Sequence, residues 1–438
     1  MSNRTLAPLV VLSLAAMLGV FPSTGRAQTP ADCIPLTTEL GCLEVAPDSA
    51  RVDLNQPTFS DPTTITNPLF PISDLHSVVF LGHVDGQPFR TETTLLPQTR
   101  VIEWNGLKVE CLTSQYVAYR DGQIEELALD WYAQSDDGTV WYFGEDVTDF
   151  EEGVVFTTEG TWLAGRDGPA AMIMPGSPRI GDAFRTETIP GVAFEEVTIT
   201  AIDLTMHGPS GPVSGAIIGS ELHQDGTAEE KVFAPGYGEF RTGGGGDLEA
   251  LALAVPVDAL DAPLPAELGV LATGSADILN AIQSEDWDAA TATADAMTSA
   301  WDTYSAGDVP PMIAAELSAS LVELVGAVDA RAAAVASQAA IDAGQSIVDL
   351  HLRYLPSTDI NRARLGLWTQ QALVDAEAEE AGRVMSAVVA LELIRDRVAH
   401  DFDAATAESV DTILADLRTA ASLAAQLRDL LLTNQPVS

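Results

Sequence analysis

The chain has 438 residues, with 64 Asp and Glu against 21 Lys and Arg, so its formal charge is −43. That balance excludes nucleic acid as a direct partner, because binding phosphates needs a basic face, and it argues against docking on an anionic membrane surface. Hydrophobic residues make up 46% and mean hydropathy is +0.13, so the chain folds rather than staying disordered, with length for two or three domains.

Arg4 precedes an apolar run over residues 6–21, and small and polar residues follow up to Ala27. Gly25 and Ala27 sit three and one residues before a cleavage point at Gln28, which marks residues 1–27 as a secretory signal peptide. The run is short for a membrane span. No later segment reads as an integral membrane segment, so the mature protein is expected to be secreted, periplasmic or extracellular. Loss of Arg4 and Arg26 deepens the charge from −43 to −45. Only Lys108 and Lys231 are lysines. A surface this acidic and Lys-poor suits a saline solvent, where self-repulsion is screened, although a GC-rich genome yields the same composition.

Residues 28–66 form an irregular N-terminal arm. Cys33 and Cys42 lie nine apart within it and are expected to form a disulfide in an oxidising compartment. Cys111 alternates with polar residues in a strand pattern and reads as a buried free thiol.

Residues 67–257 read as an antiparallel β meander. Turn signals recur at Asp85-Gly86, Asn105-Gly106, Asp121-Gly122, Asp137-Gly138 and Glu152-Gly153, between runs rich in Val, Thr, Phe, Tyr and Trp. Ten or more strands are expected, curled into a half-barrel or barrel. From residue 263 Ala dominates and the period lengthens. Trp287, Ala290, Ala294, Met297, Trp301 and Tyr304 mark one helix, with Ser284 as its N-cap. Residues 263–438 are therefore expected to form a helical bundle, a scaffold or oligomerisation module. The fold class is α+β in two domains. Within the helical part Ile282, Val328 and Val374 stand at helix junctions spaced 46 apart, a faint repeat of helical hairpins.

No nucleophile elbow, H-E-x-x-H, phosphate loop or C-x-x-C is present, so no catalytic residue is assigned. One constellation stands out in the hairpin of residues 130–152. With a three-residue turn at Asp136–Gly138, Tyr132 faces Tyr142 on one side of the sheet, while Trp131, Trp141 and Phe143 share the other. These five aromatics are the candidate ligand-binding residues; a structural ladder is the competing reading. The same hairpin carries Asp136, Asp137, Glu145, Asp146 and Asp149, oxygen ligands of the kind Ca²⁺ takes, although a solvated acidic face is the plainer account.

Asn67-Pro68-Leu69-Phe70-Pro71, Asp130-Trp131-Tyr132-Ala133-Gln134, the block from Val140 to Asp146, Met174-Pro175 and Phe233-Ala234-Pro235-Gly236-Tyr237-Gly238 carry a resemblance. They resemble a family of uncharacterised secreted bacterial proteins with an "NPYFP" opening, a "DWYAQD-x-x-G-x-VWYFGED" hairpin and a late "YYAPGVGLV" strand. Leu69, Phe233 and Tyr237 depart from that pattern. The resemblance covers about residues 67–257 and implies an envelope or extracellular β domain. It brings no catalytic residues and does not reach the helical part. The expectation is a secreted, non-enzymatic protein whose β domain binds a small apolar or amphiphilic ligand or an envelope protein partner. The alternatives are an extracellular hydrolase with a carboxylate or metal-assisted site, and a calcium-stabilised structural envelope protein.

Overall fold

The computed structural model describes residues 33–37 and 41–433; the expected signal peptide lies outside the described residues. Six strands walk outward from the middle of one sheet: β1 (Ser77–Val84), β2 (Gln87–Trp104), β3 (Leu107–Arg120), β4 (Gln123–Gln134), β5 (Val140–Glu151) and β6 (Val154–Thr157). Two short strands, β7 (Trp162–Leu163) and β8 (Ala171–Met174), add to the free side of β5. Six more walk back: β9 (Ala183–Ile189), β10 (Ala193–Gly208), β11 (Gly211–His223), β12 (Ala228–Ala234), β13 (Gly238–Gly244) and β14 (Asp247–Val255). β14 pairs with β1, which joins the two meanders into one antiparallel 14-stranded sheet. The sheet is unclosed, with β6 at one edge and β9 at the other.

The hairpin signals act through backbone conformation. Asp85-Gly86, Asn105-Gly106, Asp121-Gly122 and Glu152-Gly153 each hold two consecutive residues at positive φ, the twist that a tight two-residue hairpin needs. Glycine supplies the second at no steric cost.

Among the described residues seven α-helices follow: α1 (Ala266–Gln283), α2 (Trp287–Tyr304), α3 (Pro311–Asp329), α4 (Ala333–His351), α5 (Ser357–Glu377), α6 (Ala381–Val398) and α7 (Ala404–Thr433). Ala290, Ala294, Met297 and Trp301 of α2 are buried, as their spacing requires. The cap differs from expectation. Asp286, not Ser284, accepts from the Ala289 amide at the start of α2. The Ser284 hydroxyl instead donates to the Asn280 carbonyl at the end of α1. Ser284 stands before the tight turn, where the last carbonyls of α1 are the nearest orphaned groups.

The three junctions are turns of helical hairpins, but their turn residues are spaced 46 and 48 apart, not 46 and 46. Glu285, Arg331 and Glu379 each adopt positive φ at the turn of a helical hairpin. In each case the following amide closes on a carbonyl five residues back: Asp286 on Ala281, Ala332 on Ala327, Glu380 on Asp375. These are Schellman turns. α3 is the one described helix long and apolar enough to cross a bilayer. Its Ile313, Leu317, Leu321, Leu324 and Val328 are buried in a core shared with α1, α2 and α4.

The helices cover the outer face of the sheet. Val79 and Leu253 pack into the core of α1–α4, while Val117, Tyr119 and Ile124 pack on Trp368 of α5 and Ala387 and Ile394 of α6. Between these apolar zones lies a buried ion network. Glu92 of β2 meets Arg90, Arg364 and Arg397 at 2.8, 3.0 and 2.6 Å. Asp349 of α4 meets Arg90 and Arg364 at 2.6 and 2.9 Å. Arg397 Nε also donates to Gln115 of β3 at 2.6 Å. The network joins two strands to three helices and so fixes how the two parts dock.

Cys33 and Cys42 form a disulfide with a Cα–Cα separation of 5.2 Å. Cys111 is free and buried.

Candidate functional site

Residues that alternate away from the helices line a cavity of about 350 Å³ on the inner face of the sheet. Its composition is sharply divided. One part is apolar, with Phe70, Ile72, Leu75, Val78, Phe80 and Phe233. The rest carries nine carboxylates, from Glu126, Asp130, Glu145, Glu187, Glu195, Glu221, Glu229, Glu239 and Glu249, against the single ammonium of Lys231. They come from eight strands, β4, β5 and β9–β14.

The hairpin aromatics separate between the two faces. Tyr132 and Tyr142 are register partners, stack at 4.8 Å between ring centroids, and line the cavity. Phe70 meets Tyr132 edge-on at 5.0 Å. Trp131, Trp141 and Phe143 are buried on the other face and do not line it. Trp104 contacts both Trp141 and Phe143, Phe59 of the N-terminal arm packs on Phe143, and the Arg100 guanidinium lies 4.0 Å over Trp131. Trp131, Trp141 and Phe143 thus fill core.

The five acids considered for calcium are not brought together. Asp136 accepts from the Thr58 hydroxyl and the Ser60 amide, which ties the N-terminal arm to the turn. Asp137 accepts from the Ser135 hydroxyl and the Thr139 amide within the turn. Glu145 lines the cavity. Asp149 pairs in register with Glu126 farther along β5, and Asp146 is exposed. A glycine bulge explains why Glu145 turns inward. Gly144, at φ +123°, interrupts the alternation, so that Tyr142 and Glu145 share one face, across the hairpin from Tyr132 and Asp130.

The carboxylates are held in contrasting states. The Tyr142 hydroxyl donates to Asp130 at 2.6 Å, yet burial and the neighbouring Glu145 push the Asp130 carboxyl well above its usual range. Burial, Glu195 and a hydrogen bond shared with Glu145 drive Glu187 up to about 11. Glu145 belongs to β5 and Glu187 to β9, so this carboxyl–carboxylate contact bridges the open side of the sheet. Burial also raises Glu221 to about 8, against the Lys231 ammonium at 2.7 Å. Glu195 goes the other way. Despite burial, His223 and Lys231 hold it at about 2. His223 is raised to about 10 by its contacts with Glu195 at 3.2 Å and Glu229 at 3.6 Å. Burial lifts Glu126 and Glu249 to about 7.

Glu195, Glu221 and His223 offer ligand atoms within 4.8 Å of one another, a spacing a metal ion could use. Here two side-chain cations fill that role. Both His223 nitrogens face carboxylates, and Lys231 takes Glu221. Other histidines serve locally. His351 faces the Leu268 carbonyl inside the helical part, and His400 lies beside Asp401.

Seven of the nine cavity acids escape the sequence reading: six are scattered between residues 187 and 249, and Glu126 stands just before the hairpin. The available signal is weak: acids such as Glu187, Glu195 and Glu221 stand where a strand pattern calls for an inward residue. The rarity of Lys adds to it, since Lys231 is one of only two.

No protein-family model matches the chain, and no curated protein or solved structure shows a significant match to it.

Proposed function

We propose that this is an exported, non-enzymatic binding protein whose half-barrel takes an amphiphilic ligand with a cationic head, such as an alkylamine. One observation carries the reading: an apolar wall and nine carboxyl groups, Glu195 among those held ionised, share one cavity with a single lysine. Apolar surface there favours a hydrocarbon chain. The acids disfavour an anionic head by several kcal/mol and favour an ammonium. The residues behind the suspected family resemblance support the same site, since Asp130, Tyr132, Tyr142, Glu145, Tyr237 and Gly238 all line it. The disulfide fits an exported protein.

Calorimetric titration with dodecylamine, dodecyl sulfate and dodecanol tests this below their aggregation limits. Dodecylamine is expected to bind one to one, and to tighten roughly tenfold between pH 6 and 8 as Glu126 and Glu249 ionise. Equal affinity for the sulfate, or no binding of the amine at any pH, rejects the proposal.

A second reading, a carboxylate-assisted hydrolase, rests on Glu187 and Glu195 being driven to about 11 and about 2 within one cavity. Opposed carboxyls of this kind can supply a general acid and a base. Turnover of aryl glycosides or esters that is abolished in Glu187→Gln would favour it over simple binding.

A further inference from the structure

A second site lies outside the cavity, in the ion network between sheet and helices. Its charges do not cancel. Three guanidiniums, Arg90, Arg364 and Arg397, face two carboxylates, Glu92 and Asp349. Every acceptor of the network is engaged, Asp349 Oδ2 by Arg90. Glu92 Oε2 takes Arg364 and Arg397, Glu92 Oε1 takes Arg90, Asp349 Oδ1 takes Arg90 and Arg364, and the Gln115 carbonyl takes Arg397. Donors are left over. Arg364 Nε, Arg397 Nη2 and the Tyr119 hydroxyl have no hydrogen-bond partner among the described residues, on side chains 1%, 3% and 2% exposed. Tyr119 lies within electrostatic reach of all three arginines and of Glu92.

A buried donor without an acceptor loses its hydration with nothing in exchange, and an uncompensated buried charge is costlier still. A water molecule could accept from the donors and leave the extra charge. A monovalent anion answers both. We propose that Arg364, Arg397 and Tyr119 form a halide site, chloride in a saline setting, that completes the docking of the helices on the outer face of the sheet. A halide suits it because a single spherical acceptor can take donors from several directions. Bound there, it makes the junction depend on the kind of salt and not only on ionic strength.

Two measurements on the intact protein test this. Crystals soaked in sodium bromide are expected to show anomalous scattering against Arg364 Nε and Arg397 Nη2. Density there without an anomalous signal means water and overturns the proposal. In solution, thermal midpoints are compared in sodium chloride and sodium gluconate at equal ionic strength, gluconate being too large to enter. Chloride is expected to raise the midpoint by about 2–5 °C, and Tyr119→Phe is expected to remove at least half of that difference. Equal midpoints in the two salts overturn it. Should Tyr119→Phe not fold, the soak and the salt comparison on the unaltered chain still decide.

Discussion

Glu92→Gln tests what holds the two halves together. Glu92 is 1% exposed and receives three guanidiniums at 2.8, 3.0 and 2.6 Å. Glutamine keeps the shape and one acceptor oxygen. It removes the charge and places an NH2 group against arginine N–H groups. Asp349, which pairs with Arg90 and Arg364, is then the one carboxylate of the network left to balance three guanidiniums. Breaking a buried pair from one side costs about 3–5 kcal/mol, because the partner charge stays buried. Urea unfolding, followed by far-UV circular dichroism and by Trp fluorescence, measures this without adding salt. The midpoint is expected to fall by the equivalent of about 3–5 kcal/mol. The two probes should also separate, since helices and sheet lose their shared anchor. The effect has a pH signature. Despite burial, Arg364, Arg90 and Arg397 hold the Glu92 carboxyl far below its usual range. Its contribution is therefore present above about pH 4.5 and fades as pH falls below it, narrowing the gap between wild type and variant. A change under about 1 kcal/mol at pH 7 would refute the reasoning and mark the network as effectively solvated.

Further outcomes concern the cavity and the sheet. Glu221, Glu126, Glu249 and His223 all have pKa values raised in the folded state, to about 8, 7, 7 and 10. The stability each contributes is complete below its unfolded value and is lost as pH rises through the folded one. The thermal midpoint should therefore be highest near pH 5 and decline towards pH 9; a calorimetric midpoint that climbs steadily from pH 5 to 8 contradicts this. Gly144→Ala should cost about 2–4 kcal/mol in urea, because a Cβ there lies 2.3 Å from the Trp162 carbonyl oxygen at φ +123°. Gly86→Ala, at φ +71° with nothing within 4 Å, serves as the control and should cost only about 1–2 kcal/mol. Equal losses would deny the bulge its role in turning Glu145 inward.

Much of the fold is legible in the amino-acid order because the relevant forces are local. Asn-Gly and Asp-Gly pairs dictate hairpins, and β1 and β2 meet at Asp85-Gly86 as that pair requires. The pairing of Tyr132 with Tyr142 follows from the turn length alone. Less legible are β7 and β8, two and four residues long, which exist only because β5 offers them an edge. Local chemistry also misleads at Ser284, where two potential caps stand two residues apart and turn geometry selects Asp286.

The candidate site divides in the same way. The hairpin with Asp130, Tyr132, Tyr142 and Glu145 is conspicuous in sequence, but its acids there suggest calcium, and its Trp residues suggest a groove. Tertiary structure reassigns both. Trp131, Trp141 and Phe143 are buried on the opposite face from the cavity, while Asp136 and Asp137 serve the turn and the arm beside it.

Sequence by itself determines the net charge, the antiparallel meander and the helical hairpins, because composition, turn chemistry and periodicity act over a few residues. Only the tertiary structure decides where the charge matters. Curling the sheet brings Glu145 and Glu187 from opposite edges into one cavity, and docking the helices buries three arginines against two acids. Both are encounters between residues far apart in the chain, and their energetics depend on the water excluded when they meet.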